Sequence, residues 1–250
     1  MQMKKLLLGI GLLVSMTLAG CASDPQEFSA EAGYGYLSLA CSAADMEVTR
    51  GEVNFTVPET SQFKLTISDV DYTQSWDPMS SFVSTENRLV AGDYTATVEW
   101  GDPTTEGENV PAYTGSTPFT ILSQQVTEAT IKASLTKGLV TVAFTENFLS
   151  YFHDEQAILK TAAGNEFEFD STTTDKAVFV LPGEFTISGK ALKQTGEEFS
   201  FTTQKLVAKA NTLKPYTFDL KSAGTAVIVI KIDETVVEEI TVSTELNPES

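Results

Sequence analysis

Phe63, Leu65 and Ile67 alternate with Lys64, Thr66 and Ser68. A period of two puts the apolar side chains on one face of an extended strand and the polar ones on the other. Similar alternation runs through residues 94–100, 119–122, 131–135, 140–144, 167–169, 178–181 and 199–203. Val227 to Ile230 is apolar on both faces, as a sandwich-core strand would be. Gly-Asp, Pro-Gly, Ala-Gly and Gly-Glu pairs punctuate these runs as turns. Many short strands without a long helix predict an all-β chain, built as antiparallel sandwiches rather than parallel sheets. One stretch departs from the pattern: residues 145–154 carry Phe148, Leu149 and Phe152 at helical spacing, which predicts a short helix. Hydrophobic residues make up 42% and aromatics 10%, too many for a disordered chain and enough for a packed core.

The chain repeats itself. Leu89-Val90-Ala91-Gly92-Asp93-Tyr94-Thr95 recurs about ninety positions later as Val180-Leu181-Pro182-Gly183-Glu184-Phe185-Thr186. Phe119-Thr120-Ile121 is echoed by Phe201-Thr202-Thr203, and the strand led by Gly138 by the strand led by Gly224. A repeat of this size is one small sandwich rather than a solenoid unit. The expected organisation is a signal peptide over residues 1–20, a tether over 21–33, a first β-sandwich domain over 34–136 and a second over 137–246, joined with almost no linker near residues 135–138.

The N-terminus gives the expected location. Lys4 and Lys5 precede an apolar run over residues 6–14, and Leu18-Ala19-Gly20-Cys21 follows. A charged region, a short apolar region and small residues at the cut describe a secretory signal. The cysteine directly after Ala-Gly makes it a lipoprotein signal, with cleavage before Cys21 and acyl chains on that cysteine. Several acyl chains hold a protein firmly, each buried methylene contributing about 0.8 kcal/mol. Asp24 and Glu27 just after the cysteine favour export to the outer face of an outer membrane. Removing the two signal lysines from sixteen cations, against thirty-four acids, leaves a mature charge of −20. Such a surface repels nucleic acid and anionic lipid.

Chemistry-bearing residues are few. With Cys21 lipidated, Cys41 stands alone, so neither an intramolecular disulfide nor a cysteine metal site is expected. Cys41 shares parity with Leu37 and Leu39 and should face the core as an inert thiol. His153 is the only histidine, beside Asp154 and Glu155, and no serine sits in a Gly-flanked elbow to complete a triad. Asp69, Asp71 and Asp77 lack calcium-loop spacing. The expectation is therefore no enzyme, no cofactor and no metal. Candidate ligand contacts are Trp76 and Trp100, both near turns, and Tyr113 in the long loop 101–118, because loop aromatics at a sandwich end are where ligands dock.

The order of these elements carries a resemblance. Gly35-Tyr36-Leu37-Ser38-Leu39 follows the lipobox, then Ala91 to Thr97, Pro111-Ala112-Tyr113-Thr114-Gly115-Ser116, Phe119-Thr120-Ile121, Val140-Thr141-Val142, Asn147 to Phe152 and Ile232-Asp233-Glu234-Thr235. The chain resembles, over nearly its whole mature length, the Bacteroidales lipoproteins known as domain of unknown function 4493. The resemblance implies a cell-envelope lipoprotein of tandem Greek-key, transthyretin- or fimbrillin-like sandwiches, with an adhesive or structural role such as a fimbrial or pilus-associated subunit. A surface lipoprotein that binds glycans for nutrient uptake is the alternative. The implied partners are the bilayer through Cys21 and either other fimbrial subunits or surface glycans. Two further expectations come with the resemblance. Arg50 in Thr49-Arg50-Gly51 is a possible processing site whose cleavage would release the first strand, with residues 234–244 as a donor strand. Ser171 in Asp170-Ser171-Thr172 is a possible O-glycosylation site.

Overall fold

The computed structural model describes residues 33–48, 56–173, 176–221, 227–232 and 235–241. Cys21 and Arg50, two of the sequence-predicted site residues, lie outside them. The first strands in chain order are β1 (Tyr34–Ala43), β2 (Glu47–Val48), β3 (Lys64–Ser68), β4 (Thr73–Trp76) and β5 (Arg88–Val90). They are followed by β6 (Gly92–Trp100), β7 (Tyr113–Ile121) and β8 (Val126–Leu135). Seven of these form one sheet in the order β4-β3-β6-β7-β8-β1-β5. β7 and β8 pair only at Tyr113–Leu135 and Thr114–Ser134, so the sheet opens there into two layers. Leu37 of one layer meets Leu65, Ile67, Ala96 and Val98 of the other in a common core. The alternation of Phe63, Leu65 and Ile67 with Lys64, Thr66 and Ser68 is the cause: the former are fully buried while the latter face outward.

A second set of strands repeats the plan. β9 (Gly138–Phe144) is followed by α1 (Glu146–Leu149), β10 (Phe152–Thr161), β11 (Glu166–Phe169), β12 (Ala177–Val180) and β13 (Gly183–Lys193). Then come β14 (Glu198–Thr202), β15 (Leu206–Ala208), β16 (Thr212–Leu220), β17 (Val227–Ile232) and β18 (Thr235–Thr241). One sheet runs β11-β10-β13-β14, with β15 also on β13; the other runs β12-β9-β16-β17-β18. Their inner faces share a core of Val140, Val142, Phe148, Phe152, Leu159, Ile187, Tyr216, Phe218 and Ile230 among others. The fold is all-β with two sandwich cores. β6 and β13 both start at the glycine of the repeated motif, Gly92 and Gly183.

Three details depart from the sequence reading. Most pairs are antiparallel, but β1 runs parallel to β8 over eight register pairs and β9 parallel to β16 over six. The first strand of each set, β1 or β9, thus lies beside a much later strand, β8 or β16, running in the same direction. The predicted helix over 145–154 is only α1. Thr145 caps it by accepting the Phe148 N–H, and by Phe152 the chain has become β10, paired with Lys193. β17, which follows Gly224, is not the counterpart of β9. It pairs antiparallel with β16 and extends the sheet it came from.

β18 is the edge strand of that sheet. The shared parity of Val236 and Ile240 is broken by an irregularity opposite Ile230 and Lys231, so Ile240 packs on the core while Val236 stays exposed. β1, the strand that cleavage at Arg50 would release, holds fully buried Leu37. Cys41 sits on β1 opposite Ile131, half-buried at the margin of the first core rather than inside it.

Candidate functional site

The three aromatics expected at a ligand site are placed by the core. Trp76 ends β4 at 8% exposure, its ring edge-on to Phe82 at 5.0 Å. Tyr113 opens β7 at 4% exposure, 5.9 Å from Phe63. Trp100 is paired with Tyr113 across the β6–β7 ladder and stacks on Phe63 at 6.3 Å. Phe63, Trp100 and Tyr113 together close one end of the first core. Turn residues flank each aromatic in sequence, yet of the three only Trp100 is half-buried rather than buried. Trp76 and Tyr113 offer no face to a ligand.

The long loop between β6 and β7 belongs to the junction. Gly101 turns the chain at φ +75°, pressed against the Pro111 carbonyl where a Cβ would collide. Asp102 closes the first turn, accepting Thr104 N–H at 2.8 Å and the Thr104 and Thr105 hydroxyls at 2.6 Å each. Those bonds, the Thr104 side chain first, hold its carboxyl down to about 2. Glu106 then reaches the second sandwich. Its carboxylate accepts the Thr161 hydroxyl at 2.6 Å, the Asn165 side-chain amide at 2.8 Å and the Leu181 N–H at 2.8 Å. Gly107 and Phe179 exchange two backbone hydrogen bonds, at 2.9 and 2.8 Å. Lys176 pairs with Glu108 at 3.1 Å.

The same junction buries a lysine. Lys137, between β8 and β9, is fully buried and donates from Nζ to the Val110 carbonyl at 2.6 Å. Burial pushes its ammonium pKa down, and the charges of Asp102 and Glu106 push it back up. Phe179, Leu139 and Leu213, from strands of the second sandwich, pack into the first core. β2 leaves the first sandwich and runs parallel to β16 at Thr212 and Leu213. Asn211 donates from its side chain to the Asp45 carbonyl at 2.9 Å. A loop, a lysine, three apolar side chains and a strand therefore all cross between the sandwiches.

A furrow of mixed polar and apolar lining lies on the outer face of the sheet β11-β10-β13-β14. Inward Ala157, Leu159, Ile187 and Ala191 alternate with outward Gln156, Ile158, Ser188 and Lys190. Gln156, Ile158, Ser188, Lys190, Ser200 and Thr202 line one stretch. It continues into a cleft of about 370 Å³ lined by Asp154, Glu155, Gln156, Asp170, Ser171, Thr172 and Lys190. Lys160 of β10 and Lys205, between β14 and β15, are tied to Glu166 and Glu184, at 2.6 Å each. Lys190 makes no ion pair among the described residues. Ammonium, amide, hydroxyl and carboxylate groups converge here on an open surface, a set that matches vicinal hydroxyls by multiple hydrogen bonds.

Ser171 is at the rim of this cleft, half-buried. Its N–H donates to Glu155 at 2.9 Å, while Asp170 accepts the Thr172 N–H and hydroxyl at 2.8 and 2.6 Å. His153 is exposed on β10, with Asp154 at φ +51° in the irregularity that follows. Asp69 turns onto its own loop, accepting the Asp71 and Tyr72 N–H groups at 2.7 and 2.6 Å. Among the described residues no three His, Cys, Asp or Glu side chains are grouped to hold a metal ion, and no helix is long and apolar enough to cross a membrane.

The model of a family described as "Domain of unknown function (DUF4493)" matches residues 33–248. No curated protein matches the chain. Solved structures do. A "putative cell adhesion protein" from Bacteroides uniformis ATCC 8492 is 11% identical with a TM-score of 0.44, over 82% of this chain and 99% of that one. One of the "putative polysaccharide binding proteins" from Bacteroides thetaiotaomicron VPI-5482 is 11% identical with a TM-score of 0.43, over 83% and 98%. A fimbrial protein from Bacteroides ovatus ATCC 8483 is 9% identical with a TM-score of 0.37, over 75% of this chain and 49% of that one.

Proposed function

We propose, for a chain that belongs to the family described as domain of unknown function DUF4493, a non-catalytic role as a lipid-anchored adhesive or structural protein of the cell surface. Cys21 carries the acyl anchor, residues 21–33 form the tether, and residues 34–136 and 137–246 are two sandwich domains held as one stiff body. The observation that carries this reading is the Glu106 junction. One carboxylate satisfies three donors of the other sandwich, and charge-assisted bonds of this kind are each stronger than a neutral pair. A protein that transmits force or spaces a partner from a membrane needs a stiff joint; a flexible linker would serve neither. The partners on this reading are the bilayer and other surface subunits. The test is a strain lacking the chain, compared with one complemented by the wild type, in adherence and surface-appendage assays. Loss on deletion and return on complementation are expected; unchanged adherence and appendages contradict the role.

The Lys190 furrow favours a second reading, a glycan-binding lipoprotein. Titration calorimetry with neutral oligosaccharides separates the two. Binding that weakens about tenfold, or about 1.4 kcal/mol, in Lys190→Ala supports the glycan role, and no heat with any oligosaccharide removes it.

A further inference from the structure

One end of the first sandwich, opposite the junction, collects exposed apolar side chains. Val70 is 98% exposed, Val90 54% and Leu122 50%, and Val126 is also on the surface. Val90 faces Tyr34 across the β1–β5 pair, and Arg88 faces Tyr36. Val126 is the partner of Tyr36 on β8. Paired residues share a face of the sheet, so Tyr34, Tyr36, Arg88, Val90 and Val126 form one patch, with the turns of Leu122 and Val70 beside it. The Arg88 guanidinium lies 4.8 Å over the Tyr34 ring.

The neighbouring turns are fixed to the patch by hydrogen bonds. Gln124 N–H donates to the Tyr34 carbonyl at 2.7 Å, which holds the Leu122 turn against β1. The Tyr94 hydroxyl donates to the Val90 carbonyl at 3.1 Å, and the Tyr94 ring meets Tyr72 edge-on at 5.8 Å, which holds the Val70 turn beside β5.

The chain also enters the fold here. Gly33 N–H donates to Ser123 Oγ at 2.8 Å and its carbonyl accepts Ala91 N–H at 2.8 Å. Twelve Cα–Cα steps separate Gly33 from Cys21. Fully extended they reach about 40 Å at most, at roughly 3.3–3.6 Å per residue. β6 runs from this end, at Gly92, to the junction end, at Trp100, and β8 runs the same course from Val126 to Leu135. An anchor at Cys21 therefore keeps this end of the first sandwich within about 40 Å of the bilayer.

We propose that the Tyr34, Val90, Leu122, Val126 and Val70 end rests on the bilayer that carries the Cys21 anchor, its apolar side chains at the boundary between the lipid headgroups and the acyl chains. The inference depends on acylation of Cys21. The chemistry suits that depth: tyrosine and arginine present an apolar body and a polar tip, and such side chains concentrate at the membrane–water boundary. Asp71 and Asp93 stand at the same end. Asp93 is engaged by the Thr120 hydroxyl at 2.6 Å, and both carboxylates select a zwitterionic surface over an anionic one.

The test uses the full acylated chain in phosphatidylcholine vesicles, with and without brominated acyl chains, which quench tryptophan on contact. Leu122→Trp and Val70→Trp place reporters at the patch, and Val237→Trp, on β18 of the second sandwich, is the control; each is read as the difference from the parent, which has Trp76 and Trp100. The expected result is a shift of the Leu122→Trp and Val70→Trp emission to shorter wavelength and its loss in brominated vesicles, with Val237→Trp unchanged. Chains that float with the vesicles but show no quenching overturn the docking alone. A wavelength shift without bromine quenching also overturns it and assigns the patch to protein, either the tether or a second copy. Chains that do not float with the vesicles overturn the anchor and the docking with it.

Discussion

Glu106 accepts the backbone N–H of Leu181 at 2.8 Å, across seventy-five positions of sequence and from one sandwich to the other. The same carboxylate holds Thr161 and Asn165. A single side chain thus fixes the turn between β12 and β13 and the end of β10 against the loop that leaves β6.

Glu106→Ala should lower stability by about 2–3 kcal/mol, since it leaves donors in a partly buried junction without their acceptor. The Leu181 amide should exchange its hydrogen faster, while amides in the centre of β6 keep their protection. Denaturant unfolding and hydrogen exchange read both effects. Unchanged exchange at Leu181 would show that the joint does not depend on this carboxylate.

Asp219 sets an acid limit to the second sandwich. Burial alone would raise its pKa, but Lys231 at 2.7 Å, Thr145 at 2.7 Å, Asn147 at 3.0 Å and the Leu220 N–H at 2.8 Å hold it down to about 2. A carboxyl titrating at about 3.9 in the unfolded chain contributes its stabilisation above about pH 4 and loses it as pH falls toward 2. The contribution is roughly 2 kcal/mol at neutral pH. Asp219→Asn should remove that amount at pH 7 and flatten the loss of stability between pH 4 and 2. An acid limb identical to the wild type would place the protonation elsewhere.

Cys41 should react slowly with thiol reagents in the native protein and faster in denaturant. It is half-buried, and burial pushes its thiol pKa up, which lowers the thiolate fraction at neutral pH. Equal rates in the two conditions would remove it from the core margin.

The strands were legible in the sequence because a buried face imposes a period of two, seen in Phe63, Leu65 and Ile67 and again in Tyr94, Ala96 and Val98. Their direction was not. The alternation is the same in parallel and antiparallel pairs, so the β1–β8 and β9–β16 pairings left no trace in it. Helical spacing after β9 overstated α1, because Phe152 keeps that spacing from Phe148 while belonging to β10. Trp76 and Tyr113 read as loop aromatics since turn residues flank them, yet each is the terminal residue of a strand and faces inward. Glu106 is one acid among thirty-four, and its partners lie 55 to 75 positions away. The furrow was hidden for the same reason: Gln156, Lys190 and Ser200 meet only once β10, β13 and β14 are side by side.

The proposed orientation of the body rests on a lipid at Cys21, so acylation of that residue is the measurement that matters most. Cells fed a labelled fatty acid should incorporate it into the wild-type chain, which then partitions into the detergent phase. Cys21→Ala should carry no label and either remain unprocessed or partition into the aqueous phase. Equal labelling and equal membrane partitioning of the two chains would contradict a lipid-anchored protein.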